Sequence, residues 1–252
     1  MNLTAPEGTS LTEALFSVAE IRRDVDVVLC PSFPSLHAVG ALLRNSLVQL
    51  GAQDVFWGEK GAFTGQVSAA MLTDAGCTHC IVGHSERRGR FGASSLAPEL
   101  LPYFADTDGT VGLKLRRLLF ANIHPILCVG ETLEEREAGR TEDVVRLQLE
   151  GALSGVDAAE TFGLAVAYEP VWAIGTGSVC DAGEANRVCG FIRSRLAERL
   201  SPEAADQIRV LYGGSVNSKN AAPLFRESDI DGALVGAGSL KAAEFGRIVL
   251  AA

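Results

Sequence analysis

Short apolar runs alternate with segments of helical period along the chain, and this alternation predicts its elements. Within residues 10–22 the apolar positions Leu11, Ala14, Leu15, Val18 and Ile21 share one face, which predicts an amphipathic helix. Residues 25–30 predict a strand, 35–45 a helix and 48–52 a second strand. A long loop marked by Gly58, Gly61 and Gly65 leads to a short helix at 68–75 and a strand at 80–82. A helix at 108–121 precedes a strand at 125–129, after which Thr132 and Glu135 have the spacing of a capping box. Beyond a strand at 164–167, Asp181 and Glu184 repeat that spacing, and Ala185, Val188, Cys189, Ile192, Leu196 and Leu200 hold one apolar face. Strands at 208–212 and 232–235 and a helix at 240–251 complete the pattern.

These strands are apolar on both sides, and no linker or low-complexity segment separates them. Such strands need cover on both faces, so the fold class is parallel α/β in a single domain spanning residues 1–252. Alternation alone allows a doubly wound sheet or a closed (β/α)8 barrel. The barrel is favoured because chemistry-bearing residues follow several different strands at their C-terminal ends.

Composition narrows the function. With 47% hydrophobic and 21% charged residues the chain can bury a large core. The formal charge of -9 argues against nucleic acid or an anionic membrane as partner, both of which need a basic footprint. A small anion stays open, provided backbone amides hold it. No apolar run has the length of a membrane span and residues 1–10 lack a signal-peptide pattern, so the expected location is cytoplasmic. Of the six cysteines, Cys77 and Cys80 form a C-x-x-C without a second ligand pair of comparable spacing. Cys30, Cys80 and Cys128 lie within or at the ends of apolar runs, and the cysteines therefore read as structural rather than as zinc ligands.

Candidate chemistry sits at strand ends. Glu169 follows the 164–167 strand and is flanked by Pro170, which stiffens the backbone, and by Gly175 and Gly177, which loosen it, the pattern of a hinged flap beside a base. Taken alone, this Glu-Pro also reads as the start of an ordinary strand-to-helix connection. His84 follows the 80–82 strand and precedes what reads as a helix start, where the dipole disfavours an imidazolium. Taken alone it is as readily structural as catalytic, whereas His37, His79 and His124 have no such setting and read as structural. Ser215 after Gly213-Gly214, together with Gly236 and Ala237 after the last strand, offers consecutive backbone N–H groups that can hold a phosphate. Gly175 would add to the same anion site.

Together these stretches resemble the triosephosphate isomerase family. The matching segments are residues 82–88, 168–177, 212–216 and 232–236, with further matches at 51–54, 60–65 and 128–136. The resemblance implies a TIM barrel that interconverts dihydroxyacetone phosphate and glyceraldehyde 3-phosphate through an enediolate, without cofactor or metal. Glu169 would be the base, neutral His84 the electrophile and Glu86 a supporting carboxylate. Gly175, Ser215, Gly236 and Ala237 would bind the phosphate, and the 170–177 loop would close to exclude water. The family is itself the standard illustration of this glutamate–histidine pairing, so the roles rest on the resemblance. It also implies a homodimer through the loop around Thr64.

The chain departs from the family at several places. Ala237 stands where the family has a second glycine, which costs stability only if φ must be positive there. Ser178-Val179-Cys180 replaces the usual Lys-Thr-Ala at the far hinge, and residues 91–104 read as an insertion. The family's first strand and the lysine at its end are not found, which leaves seven predicted strands. The expectation is that Met1 is an internal methionine of a longer protein, and that the chain lacking that strand is aggregation-prone and poorly active. Two alternatives accompany the main reading: an isomerase of another small phosphoketose, and a catalytically impaired barrel that only binds phosphate.

Overall fold

Ala165-Val166-Ala167-Tyr168 has no polar side to turn toward water, and the fold covers this segment on both faces as a central strand. The computed structural model describes residues 2–18, 21, 23–90, 97–175 and 180–252. Among them are seven strands: β1 (Val28–Leu29), β2 (Gln49–Ala52), β3 (His79–Val82), β4 (His124–Val129), β5 (Ala165–Tyr168), β6 (Arg209–Tyr212) and β7 (Gly232–Ala233). All pair in parallel, and the sheet order is β1-β2-β3-β4-β5-β6-β7. A doubly wound sheet reverses its order at a switch point, and this one never does. The sequential order is that of a TIM barrel without its first strand, with the seven strands that the apolar pattern predicts.

The helices are α1 (Ala5–Val18), α2 (Leu36–Leu43), α3 (Ala69–Asp74), α4 (Leu101–Phe104), α5 (Asp108–Phe120) and α6 (Leu133–Glu137). They continue with α7 (Thr141–Ala152), α8 (Ala182–Arg199), α9 (Pro202–Gln207), α10 (Ala221–Leu224) and α11 (Ala242–Ala251). One core of buried aliphatic side chains lies between sheet and helices, running from Val27 and Val39 through Val166 and Ile192 to Ile248. Cys77, Cys80, Cys128 and Cys189 are buried free thiols within these apolar layers.

The two edges of the sheet shape everything near the chain's start. β1 and β7 each have one strand neighbour. Outside them the helical ring is nevertheless closed, because α1 packs against both α2 and α11. Behind this closed ring a cavity of about 2130 Å³ is walled by Leu11 and Leu15 of α1, by β1 and β7, and by Ile248 and Val249 of α11. It runs from His79 and His124 at the N-terminal ends of the strands to His84 and Glu169 at their C-terminal ends.

Several boundaries differ from the sequence expectation. The first helix begins at Ala5 rather than Ser10, because the Glu7 carboxylate accepts from the Thr4 N–H (2.8 Å) and hydroxyl (2.7 Å) and caps the helix one turn early. The first strand shrinks to Val28–Leu29, since only one side of it has a partner. The Thr132–Glu135 box is present as expected, whereas the Glu184 side chain turns away from its cap toward Arg136 and Arg187. Of the 91–104 insertion, residues 91–96 lie outside the described residues. The remainder forms a 3-10 turn (Pro98–Leu100) and α4.

At the N-terminal end of the strands the His79 and His124 rings meet edge-on at 4.9 Å, and Thr78 Oγ1 lies 2.9 Å from His79 Nδ1. Burial, then the charge of His124, holds the His79 pKa down at about 4, with Arg209 adding to the effect and Asp26 opposing it. A folded-state pKa below the unfolded value gives stability that is complete above about 6.5 and is lost as pH falls toward 4. Melting temperature is therefore expected to decline between pH 6.5 and 4. His79→Gln is expected to flatten that decline, and an unchanged slope in the variant would remove His79 as its source.

Candidate active site

The end of β5 delivers Glu169 into the mouth of the barrel. Its N–H continues the ladder to Val129 O at 2.8 Å, so the backbone is fixed by β4 before the side chain leaves it. Two glycines make room around it. A Cβ at Gly130 would overlap the Glu169 carbonyl oxygen, and one at Gly213 would stand 2.9 Å from Glu169 Cγ. The carboxylate is only 2% exposed. Oε2 accepts from the Ser85 N–H at 2.8 Å, and Oε1 lies 2.8 Å from His84 Nε2.

His84 follows β3 and Gly83, whose φ of +70° suits glycine. Arg88 holds the turn from behind, donating to Gly83 O at 2.6 Å and to Cys128 O at 3.3 Å and pairing with Asp108. Residues 85–89 form a hydrogen-bonded turn rather than the expected helix start, so no developed helix dipole acts on the imidazole. The ring is oriented instead by the Glu86 N–H, which donates to Nδ1 at 3.2 Å. With Nδ1 accepting, the proton of the neutral ring sits on Nε2 and faces Glu169. Burial disfavours the imidazolium, but the Glu169 carboxylate in contact with it, then the charge of Glu86, outweigh it and raise the His84 pKa.

The other candidate residues divide into two groups. Ser215, Gly236 and Ala237 lie on the exposed rim after β6 and β7, and Gly175, with φ +69°, approaches from the flap side. All four line the same cavity as His84 and Glu169. The Ser215 hydroxyl donates to Ala173 O at 2.9 Å, tying this rim to the base of the flap. Ala237 opens a 3-10 turn, and Asn122 is the one non-glycine residue with positive φ among the described residues, so alanine fits without strain. Glu86 is different. Its carboxylate is 71% exposed and reaches only to 4.0 Å from His84 Nδ1, while its backbone amide makes the contact. The flap is described through Gly175, and Thr176, Gly177, Ser178 and Val179 lie outside the described residues.

Sequence reasoning did not single out the support under the flap. Glu131, beyond the end of β4, is fully buried and accepts from the Trp172 Nε1–H at 2.8 Å and the Tyr168 hydroxyl at 3.1 Å. Burial raises its pKa, with its own backbone N–H, Trp172, Tyr168 and Arg136 opposing. The Arg136 guanidinium covers the Trp172 ring at 4.3 Å. The available signal was positional: like Glu169, Glu131 is an acidic residue at the C-terminal end of a strand, one glycine beyond Val129.

A buried carboxylate in contact with an imidazole, in a cavity rimmed by turns of small residues, is suited to moving protons on a small anionic substrate. The comparisons agree in kind. The family model described as triosephosphate isomerase matches residues 1–252. The triosephosphate isomerase of Rhodopirellula baltica is 45% identical over 252 residues, covering 100% of this chain and 94% of that one. That of Trichlorobacter lovleyi is 43% identical over 98% of this chain and 93% of its own, and that of Dictyoglomus thermophilum 39% identical over 99% and 95%. The strand order, the residues at the strand ends and the full-length match converge, and the chain belongs to the triosephosphate isomerase family.

Proposed function

We propose that this chain interconverts dihydroxyacetone phosphate and D-glyceraldehyde 3-phosphate as a single catalytic domain, in the cytoplasm, as a step of glycolysis and gluconeogenesis. The observation that carries the residue roles is the 2.8 Å contact between His84 Nε2 and Glu169 Oε1 at the mouth of the cavity. A substrate carbonyl placed between the two groups would accept the Nε2–H while Glu169 takes the proton from the adjacent carbon. Separating the pair removes the contact that raises the His84 pKa, which favours the neutral ring that a hydrogen-bond donor requires. The enediolate then regains a proton on the neighbouring carbon from the same carboxyl group, while His84 gives its Nε2 proton to the former carbonyl oxygen and takes one back from the neighbouring hydroxyl, which becomes the new carbonyl. Glu86 supports the histidine through its backbone amide. Gly175, Ser215, Gly236 and Ala237 supply the N–H donors for the phosphate, which suits a chain with formal charge -9. Flap closure from Pro170 onward would exclude water from the enediolate.

Neither another small phosphoketose nor the binding-only barrel is favoured by the relatives, which are named triosephosphate isomerases and are matched over 94% and 93% of their length. The assembly we propose is a homodimer through the loop around Thr64. Residues 61–66 of that loop are exposed although its base is stapled by the Phe56 and Phe63 rings, 4.7 Å apart. A coupled isomerase assay in deuterated water tests the whole reading, with turnover and deuterium at the transferred position expected in a species that sediments as a dimer. Absence of both turnover and exchange would overturn the chemistry, and full activity in a monomer would overturn the assembly.

A further inference from the structure

Gln148 is a buried polar side chain on the inner face of α7, among Val144, Val145, Leu149 and Ala152, and only 3% of it is exposed. An amide in such surroundings is costly unless every polar atom is satisfied. Both of its ends go to a single residue. Oε1 accepts from the Gly130 N–H at 2.7 Å, and Nε2 donates to the Gly130 carbonyl at 3.2 Å. Gly130 lies just past β4, between the bond from the Glu169 N–H to Val129 O at 2.8 Å and that from the Val171 N–H to Glu131 O at 3.1 Å. Its backbone groups are thus held by a side chain in place of a strand.

What Gly130 touches gives the clamp its meaning. A Cβ there would overlap the Glu169 carbonyl oxygen, and would stand 2.6 Å from its carbonyl carbon and 3.2 Å from its Cα. The Glu169 backbone therefore rests directly on Gly130, while Gly213, whose N–H donates to Tyr168 O at 2.7 Å, closes the other side. We propose that Gln148 is a positioning residue for the reaction, fixing the Gly130 backbone as the wall against which Glu169 is set at its distance from His84. It touches neither substrate nor reacting atoms. The inference rests on Glu169 being the base.

Gln148→Met keeps the approximate volume and removes both hydrogen bonds. Because displacement of a base by about 1 Å can cost on the order of a hundredfold in rate, kcat is expected to fall about ten- to a hundredfold. KM, and the affinity for glycerol 3-phosphate, should hold, since the anion-binding amides stand on other loops. Gln148→Glu keeps an acceptor for the Gly130 N–H but regains a donor for the carbonyl only when protonated, so its kcat relative to the unmodified chain should rise as pH falls. Val145→Ala, on the same helix face, reports on loss of stability alone. The proposal is overturned if Gln148→Met lowers kcat no more than Val145→Ala at equal loss of melting temperature, or if KM rises in parallel. Should Gln148→Met not fold, a flat pH dependence in Gln148→Glu overturns it equally. Failure of the underlying assignment is distinguishable, because Glu169→Gln would then retain activity whatever Gln148 does.

Discussion

Glu169→Gln is expected to lower kcat roughly 10²–10⁴-fold, the range lost when a positioned general base is removed. The substitution keeps the shape and the acceptor for the Ser85 N–H, which lies 2.8 Å from Oε2, so the loop around it stays in place. What disappears is the basic oxygen facing His84 at 2.8 Å. Binding of glycerol 3-phosphate, which cannot isomerise, should survive, because its phosphate would be held by amides after β6 and β7. Ser215→Asp should give the opposite outcome. A carboxylate on that rim repels the phosphate and weakens glycerol 3-phosphate binding while leaving the His84–Glu169 pair intact. Titration of the two variants beside turnover checks both, and retention of most activity in Glu169→Gln would remove it as the base.

The second large effect concerns the sheet edges. β1 and β7 present unpaired backbone groups to the cavity between them, and α1 and α11 already close the ring outside. An extended apolar segment fused ahead of Met1 would end at the start of α1, which lies against Ser35 just past the C-terminal end of β1, and so would run parallel to both edges. Each buried aliphatic side chain contributes about 1.5–3 kcal/mol and each new backbone bond about 1, offset by about 1–2 kcal/mol of ordering per residue. A net gain of a few kcal/mol corresponds, in a chain of this size, to a rise in melting temperature on the order of 5–10 °C. Aggregation should fall with it, since the edges are then paired. A fusion whose melting temperature matches that of the chain alone, or of a fusion carrying a polar control segment, would show that the edges do not take a strand.

Much of this was legible in the residues because period and burial coincide. A strand such as 165–168 is apolar at every position, and α8 keeps Ala185, Val188, Ile192 and Leu196 on one face, so local pattern and tertiary environment point the same way. The catalytic candidates were legible for a related reason, as a carboxylate and a histidine each placed at the C-terminal end of a buried strand. What escaped depends on long-range partners. The Thr4–Glu7 cap was hidden because the apolar stripe of the first helix begins a turn later. The turn after His84 looked like a helix because its residues favour one, but Arg90 N–H closes on Ser85 O at 2.9 Å and ends it. Glu131 and Gln148 look like surface residues of polar segments, and only packing of β4, α7 and the flap base shows them buried.

The insertion after His84 has a closed neck. Asp106 N–H donates to Arg87 O at 2.6 Å, bringing the two ends of the segment together, and Lys114 holds the Asp106 carboxylate at 2.7 Å. On the entering side Arg90 forks onto Glu135 at 2.6 and 3.0 Å, and the same carboxylate caps α6 at the Thr132 N–H. Chain added between these anchors does not pull on His84 or Glu169, and its cost is that of loop closure, about 0.6 kcal/mol for each doubling of length. The barrel's architecture is thus insulated there from the history of its own sequence. Length can drift, or foreign sequence be grafted, a few residues from the reacting groups without the reacting groups registering it.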